Sequence, residues 1–348
     1  MKNFLSIEII KRIYTLKSHK IFSLPIVILM PHSRCNCRCV MCDIWKGNNN
    51  VQELNENNIK EMLHSFKKLN TKSIVMSGGE ALMHPNFFRL CEILKLNKLS
   101  ITILSTGLLL KKYANEIISK TNEVIVSLDG SKDVHDKIRN VPNAFDKLEE
   151  GVRELKELDK NFKVTARCVI QKQNFDDLPN IVEAAHEIGL DQISFLTADV
   201  STDAFNRTEI WGAEKIDEVR LSLEELNRFE NIIESLCQTH LKDFEDKFIS
   251  ESPQKFRRFY DYFAAFHGLC KFPSIRCNAP WVSAVVEADG SVRPCFFHAV
   301  SGNIKEASLI QIINSESSVS FRENLEVKTN SICEKCVCSL NLAPYAKL

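Results

Sequence analysis

Alternation confines this chain more than any other feature. Short runs rich in β-branched residues recur along its first part: PIVILM (25–30), SIVMS (73–77), SITILST (100–106), EVIVSLD (123–129), KVTARCVI (163–170) and QISFL (192–196). Between them lie NIKEMLHSFKKL (58–69), FFRLCEILKL (87–96), AFDKLEEGVRELKEL (144–158) and LPNIVEAAHEIG (178–189), whose apolar residues recur with helical spacing. A chain that alternates in this way builds right-handed βαβ units and lays its strands parallel beneath helices. Six such units predict an α/β fold, a partial (β/α)6 barrel of the TIM type, whose chemistry belongs at the carboxyl ends of the strands. CNCRCVMC (35–42) follows the first strand, SGGE (77–80) the second, STG (105–107) the third and SLDG (127–130) the fourth. Four distinctive stretches therefore share one rim.

The remainder divides into three regions around this core at 25–198. Residues 1–24 carry Lys2, Lys11, Arg12, Lys17 and Lys20 among apolar residues and read as a short amphipathic helix, without the apolar core and cleavage site of a signal peptide. Residues 199–268 read as a charged helical insertion. Ser222 and Glu225 form a capping box there, and a helix at 254–266 bears Phe256, Phe259, Tyr260, Tyr262, Phe263 and Phe266, which read as packing rather than as a lid over substrate. In 269–348, VSAVVEADGSVRP (282–294) predicts a hairpin turning at Asp289-Gly290, followed by a short helix at 309–313.

Bulk properties exclude some partners. Lys plus Arg and Asp plus Glu stand at 45 each, so no general basic field attracts nucleic acid or an anionic membrane. The most apolar run, 22–31, is about half the length a membrane span requires. The expected location is the cytoplasm; the closing Ala346-Lys347-Leu348 resembles a peroxisomal address only to the extent that three residues match by chance.

Cysteine is abundant, at 13, and unevenly placed. In a reducing compartment that pattern indicates metal or redox chemistry rather than disulfides. Cys91, Cys168 and Cys237 stand apart and read as core residues. Cys35, Cys39 and Cys42 come from one loop, and three thiolates can hold three corners of a cubane iron-sulfur cluster with the fourth iron open. A structural zinc site normally closes with four protein ligands in two pairs, a spacing this loop lacks.

Cys35-x3-Cys39-x2-Cys42 resembles the C-x3-C-x2-C signature of the radical S-adenosylmethionine (SAM) superfamily, and SGGE and SLDG after the second and fourth strands extend the likeness across the core. The resemblance implies a [4Fe-4S] cluster on Cys35, Cys39 and Cys42, with SAM chelating the open iron. It implies that Gly78 and Gly79, after Ser77, let backbone carbonyls approach the SAM ammonium and that Glu80 adds negative charge beside it. Met41 matches a position that packs near adenine, where the family often has an aromatic residue. Ser127 and Asp129 match positions near the ribose and methionine, and Thr106 a polar residue ending strand three. Arg167 on strand five is expected either to pair with the SAM carboxylate or to join a barrel ion pair. Cys37 lies outside the signature and is expected to be a bystander, and His135 and Arg139 resemble a stretch that organises the loop over the site.

Near the other end, Cys277, Gly290, Cys295 and Cys333-x2-Cys336 resemble SPASM and twitch extensions, which hold auxiliary iron-sulfur clusters. Only Cys338 follows, so one auxiliary [4Fe-4S] cluster of the twitch type is expected on Cys277, Cys295, Cys333 and Cys336. Cys338 is an alternative to Cys336, Cys270 a spare thiol, and a four-cysteine zinc site the structural alternative. The family reaction is reductive cleavage of SAM to a 5′-deoxyadenosyl radical that abstracts a substrate hydrogen, here leading to oxidation or cross-linking with help from the auxiliary cluster. An external donor such as flavodoxin or ferredoxin is implied. The substrate leans toward a small metabolite, because only 24 or so residues precede the first strand and radical SAM peptide modifiers often add a leader-binding domain there. Peptide modification and a purely electron-transferring iron-sulfur protein are the alternatives.

Overall fold

In the computed structural model, which describes residues 2–207 and 209–346, all six expected strands form: β1 Ile26–Leu29, β2 Ser73–Met76, β3 Ser100–Ser105, β4 Glu123–Ser127, β5 Lys163–Ile170 and β6 Gln192–Thr197. They pair parallel in sequence order, with Ile26 opposite Ser73 and Ser127 opposite Arg167. The four strongly periodic segments form helices Glu56–Lys68, Phe87–Leu96, Ala144–Leu158 and Leu178–Ile188. Buried Val27, Ile74, Ile101, Ile103 and Val124 pack against Leu90, Leu148, Val152 and Ile181 in one apolar core. The sheet is open, as a partial barrel requires.

The predicted hairpin also forms, as β7 Ser283–Val286 and β8 Ser291–Arg293. Gly290 takes a φ of +94° at its turn, and a Cβ there would sit 2.6 Å from Asn303 Oδ1. Its placement is new information. β7 pairs parallel with the free side of β1, and β8 and the short β9 (Gly302–Asn303) continue antiparallel, giving one nine-stranded sheet in the order β6-β5-β4-β3-β2-β1-β7-β8-β9. The Met30 amide donates to Val286 O at 2.8 Å, carrying the join to the rim.

The capping box at Ser222 and Glu225 opens helix Leu223–Thr239. Beside it, helix Pro253–Phe266 buries Phe256, Phe259, Tyr262 and Phe263 in the main core, so these aromatics pack. The amino-terminal helix runs Lys2–Ser18. Among the described residues no helix is long and apolar enough to cross a membrane. Lys347 and Leu348, on which the peroxisomal reading depends, lie outside the described residues.

Candidate active site

The loop leaving β1 is held against the rim by its neighbours. Asn48 clasps Cys35 from both sides, accepting from its amide and donating to its carbonyl, each at 2.9 Å. Arg38 and Val40 amides donate to the carbonyls of Arg139 and Ile138 at 3.1 and 3.4 Å, zipping the loop to helix Lys132–Arg139. After β2 the chain comes so close that a Cβ on Gly79 would stand 2.2 Å from Arg34 O, and Gly78 has a φ of +117°. Only glycine fits both positions.

These elements enclose a cavity of about 640 Å³ at the carboxyl ends of the strands. Cys35, Cys39 and Cys42 line it together with Met41, Ser77, Gly78, Gly79, Thr106, Ser127 and Arg167. Ten of the residues expected at the ligand thus face one space. Arg167 donates through Nε to Ser194 Oγ at 3.4 Å and meets no carboxylate within ion-pair distance among the described residues, which leaves its charge to the cavity rather than to a barrel ion pair. Gln171 Nε2 donates to Met41 Sδ at 3.4 Å.

Glu80 and Asp129, expected beside the SAM ammonium and near the ribose and methionine, are both wholly buried and stand behind the cavity wall. The Glu80 carboxylate accepts from the Thr106 amide at 2.6 Å and hydroxyl at 2.7 Å, from Ser105 Oγ at 3.1 Å and from the Leu82 amide at 3.2 Å. Burial nonetheless pushes its carboxyl pKa up. Asp129 is ion-paired with Arg139 and accepts from the Val169 amide at 2.8 Å, and burial raises its pKa too. The His135 ring accepts through Nδ1 from the Asp129 amide at 3.2 Å, so the expectation that His135 and Arg139 organise this loop matches their contacts.

Sequence reasoning missed the lid over the cysteine loop. Asp199 and Arg207, both almost fully buried, pair at 2.6 Å, and Arg207 stacks over the Trp211 ring at 3.7 Å. Trp211 Nε1 in turn donates to Asp43 Oδ2 at 3.0 Å. It also missed Phe205, Phe296, Phe297 and Glu287 on the cavity wall. Glu287 follows β7 as SGGE follows β2, an equivalence that shows only once β7 is seen to run beside β1.

The tail cysteines form a second group. Burial pushes the Cys295 and Cys333 thiols up to about 11 and about 12 and raises Cys336 further, and Cys277 adds to each shift through its own charge. Cys338 contributes likewise to Cys295 and Cys336, and it lines the cavity beside Val337. His298 Nε2 lies 3.3 Å from Cys333 Sγ. Cys91, Cys168 and Cys237 are core residues, and Cys37 is buried, its amide donating to Cys35 Sγ at 3.5 Å.

The donor sets fit iron-sulfur clusters. All thirteen cysteines are free thiols. Among the described residues no three His, Cys, Asp or Glu donors lie close enough together to hold a single metal ion. Thiols sheltered in this way suit a multi-iron group, whose positive charge favours the thiolate that burial alone opposes.

Comparison with known proteins agrees. The family model of the radical SAM superfamily matches residues 29–185, and that of the SPASM iron-sulfur cluster-binding domain matches 277–337. The chain is 26% identical over 317 residues to Fe-coproporphyrin III synthase of Methanosarcina barkeri, covering 83% of this chain and 73% of that protein. It is 24% identical over 344 residues to a cysteine-type anaerobic sulfatase-maturating enzyme of Clostridium novyi, covering 90% and 85%. Among solved structures, Streptococcus suis SuiB bound to its precursor peptide SuiA shares the fold with a TM-score of 0.63 at 16% identity, covering 95% of this chain and 75% of that one. The rim motifs, the cavity and both matches lead to one conclusion: the chain belongs to the radical SAM superfamily, as an enzyme with a carboxyl-terminal SPASM-type iron-sulfur extension.

Proposed function

We propose that the protein binds SAM in the rim cavity and oxidises or cross-links a substrate by hydrogen abstraction, with 25–198 as catalytic core, 199–268 as helical insertion and 269–348 as auxiliary region. When bound, the [4Fe-4S] cluster and SAM supply a 5′-deoxyadenosyl radical, and an auxiliary cluster supplies a further one-electron centre. The convergence of Cys35, Cys39 and Cys42 with Gly78, Gly79, Ser127 and Arg167 on one cavity carries this reading. The three cysteines hold the first cluster. Gly78 and Gly79 admit the SAM ammonium to the backbone, and Arg167 offers its carboxylate a cation. Met41 flanks the adenine, and Ser127 and Thr106 present hydroxyls to the ribose and methionine. Glu80 and Asp129 act through Thr106 and Arg139 rather than by direct contact. Cys277, Cys295, Cys333 and Cys336 hold one auxiliary cluster.

The substrate is a small metabolite on this reading. A cavity of about 640 Å³ has to admit SAM as well, and Phe205, Phe296 and Phe297 offer the remaining wall an apolar, aromatic face. A peptide side chain is the second reading, favoured by the likeness to the sulfatase-maturating enzyme over 90% of the chain. The reading includes an external low-potential donor such as flavodoxin or ferredoxin and a reducing, cytoplasmic setting. It includes no nucleic-acid or membrane partner, given the balanced charge.

The test is anaerobic incubation of reconstituted, reduced protein with SAM, alone and with candidate metabolites and peptides. The expected result is 5′-deoxyadenosine, raised by the true substrate class and carrying its deuterium when that substrate is labelled. Reduced protein that releases none under any condition would leave only electron transfer.

A further inference from the structure

Arg139 ends helix Lys132–Arg139, and its side chain is 8% exposed. One guanidinium nitrogen, Nη1, points at Cys39 Sγ from 3.6 Å; the other, Nη2, is ion-paired with the fully buried carboxylate of Asp129; and Nε has no partner among the described residues. Its backbone carbonyl accepts from the Arg38 amide at 3.1 Å, fixing its distance from the cysteine loop. The second oxygen of Asp129 is held by the Val169 amide at 2.8 Å, so the pair cannot swing away. Arg207, a cation that acts on Cys42 instead, is paired with Asp199 at 2.6 Å. A permanent cation and its anion therefore stand in line beside a single cysteine sulfur.

Hydrogen bonds and charges at ligand sulfurs are among the means by which a protein sets an iron-sulfur potential. Guanidinium remains charged at every accessible pH, and in a buried site its field is weakly screened. We propose that Arg139 raises the reduction potential of the centre held by Cys35, Cys39 and Cys42, and that Asp129 offsets part of that effect. The step concerned is the gain of one electron by the centre from a low-potential flavin or iron-sulfur carrier, with no bond of the chain made or broken. The inference rests on the reading that these three cysteines hold a cluster.

The test is a redox titration of SAM-free, reconstituted protein, followed by electron paramagnetic resonance, with iron and sulfide counted in each sample. Arg139→Gln removes the cation. Held at the wild-type midpoint, its ratio of reduced to oxidised centre is expected to fall about tenfold, equal to ~59 mV for one electron. Asp129→Asn is expected to move the ratio in the opposite direction, and Arg139→Lys to lie between Arg139→Gln and wild type. Disruption of packing alone would not produce shifts of opposite sign. Arg139→Gln leaves Asp129 buried without its partner and can fail to fold. In that event Asp129→Asn and the double variant Asp129→Asn/Arg139→Gln carry the test, with the double variant expected below Asp129→Asn. Loaded variants with the wild-type midpoint, or variants shifted in one common direction, overturn the proposal. So does an unchanged midpoint with weakened SAM binding, which would make Arg139 a contact to the SAM carboxylate. Wild-type protein that binds no iron at these cysteines would instead remove the underlying reading.

Discussion

His135 shows how much an inward-facing side chain can decide. Its ring is fully buried, accepts from the Asp129 amide, and has no partner on Nε2 among the described residues. Burial pushes its pKa from 6.5 down to about 3, so the folded protein holds it neutral. As pH falls below 6.5 the unfolded chain takes up a proton that the fold refuses, and stability is lost down to about 3, at about 1.4 kcal/mol per pH unit. His135→Gln is expected to lose stability less steeply than wild type across that window in thermal melts at stepped pH; parallel curves would contradict the assignment. At this scale the sequence was informative where spacing mattered and silent where direction mattered. The positions of Cys35, Cys39, Cys42, Gly78 and Gly79 on the rim followed from their motifs. That Glu80 and Asp129 turn inward did not, because the donors that capture them, on Thr106, Arg139 and Val169, lie on other strands and loops.

Elements with a strong period were the most legible. Helices Phe87–Leu96 and Ala144–Leu158 begin and end where their apolar spacing does, and the capping box at Ser222 opens its helix. The loop after β6 had no period to read, yet it fastens the cysteine loop. Arg207 joins Asp199, the face of Trp211 and, at 3.5 Å, the carbonyl of Met41. Arg207→Ala leaves a buried carboxylate alone and is expected to cost about 3–5 kcal/mol in urea unfolding. The double variant Asp199→Asn/Arg207→Met, which leaves no unpaired charge, is expected to cost clearly less. Equal losses would mean that the pair serves packing rather than charge balance.

On the scale of the whole molecule, the sequence predicted a parallel core and a separate hairpin, and it was the joining of the two that escaped it. β7 is four buried residues with no alternation, so nothing in its pattern specifies a partner beyond β8, and a parallel pairing with a strand more than 250 positions earlier leaves no local trace. The junction predicts that residues 1–268 expressed alone fail as a monomer, because β1 would present a bare, apolar edge. Size-exclusion chromatography is expected to show aggregate or no recoverable protein; a well-behaved monomer that loads iron would count against it.

With a neighbour hydrogen-bonded along each side, β1 is an interior strand, and the loop bearing Cys35, Cys39 and Cys42 grows from its end. Any drift of that root would have to shear two ladders at once, one of them built by the tail. The distant carboxyl-terminal quarter thus works as a brace, and damage there would loosen the first cysteine triad without touching any of its sulfurs.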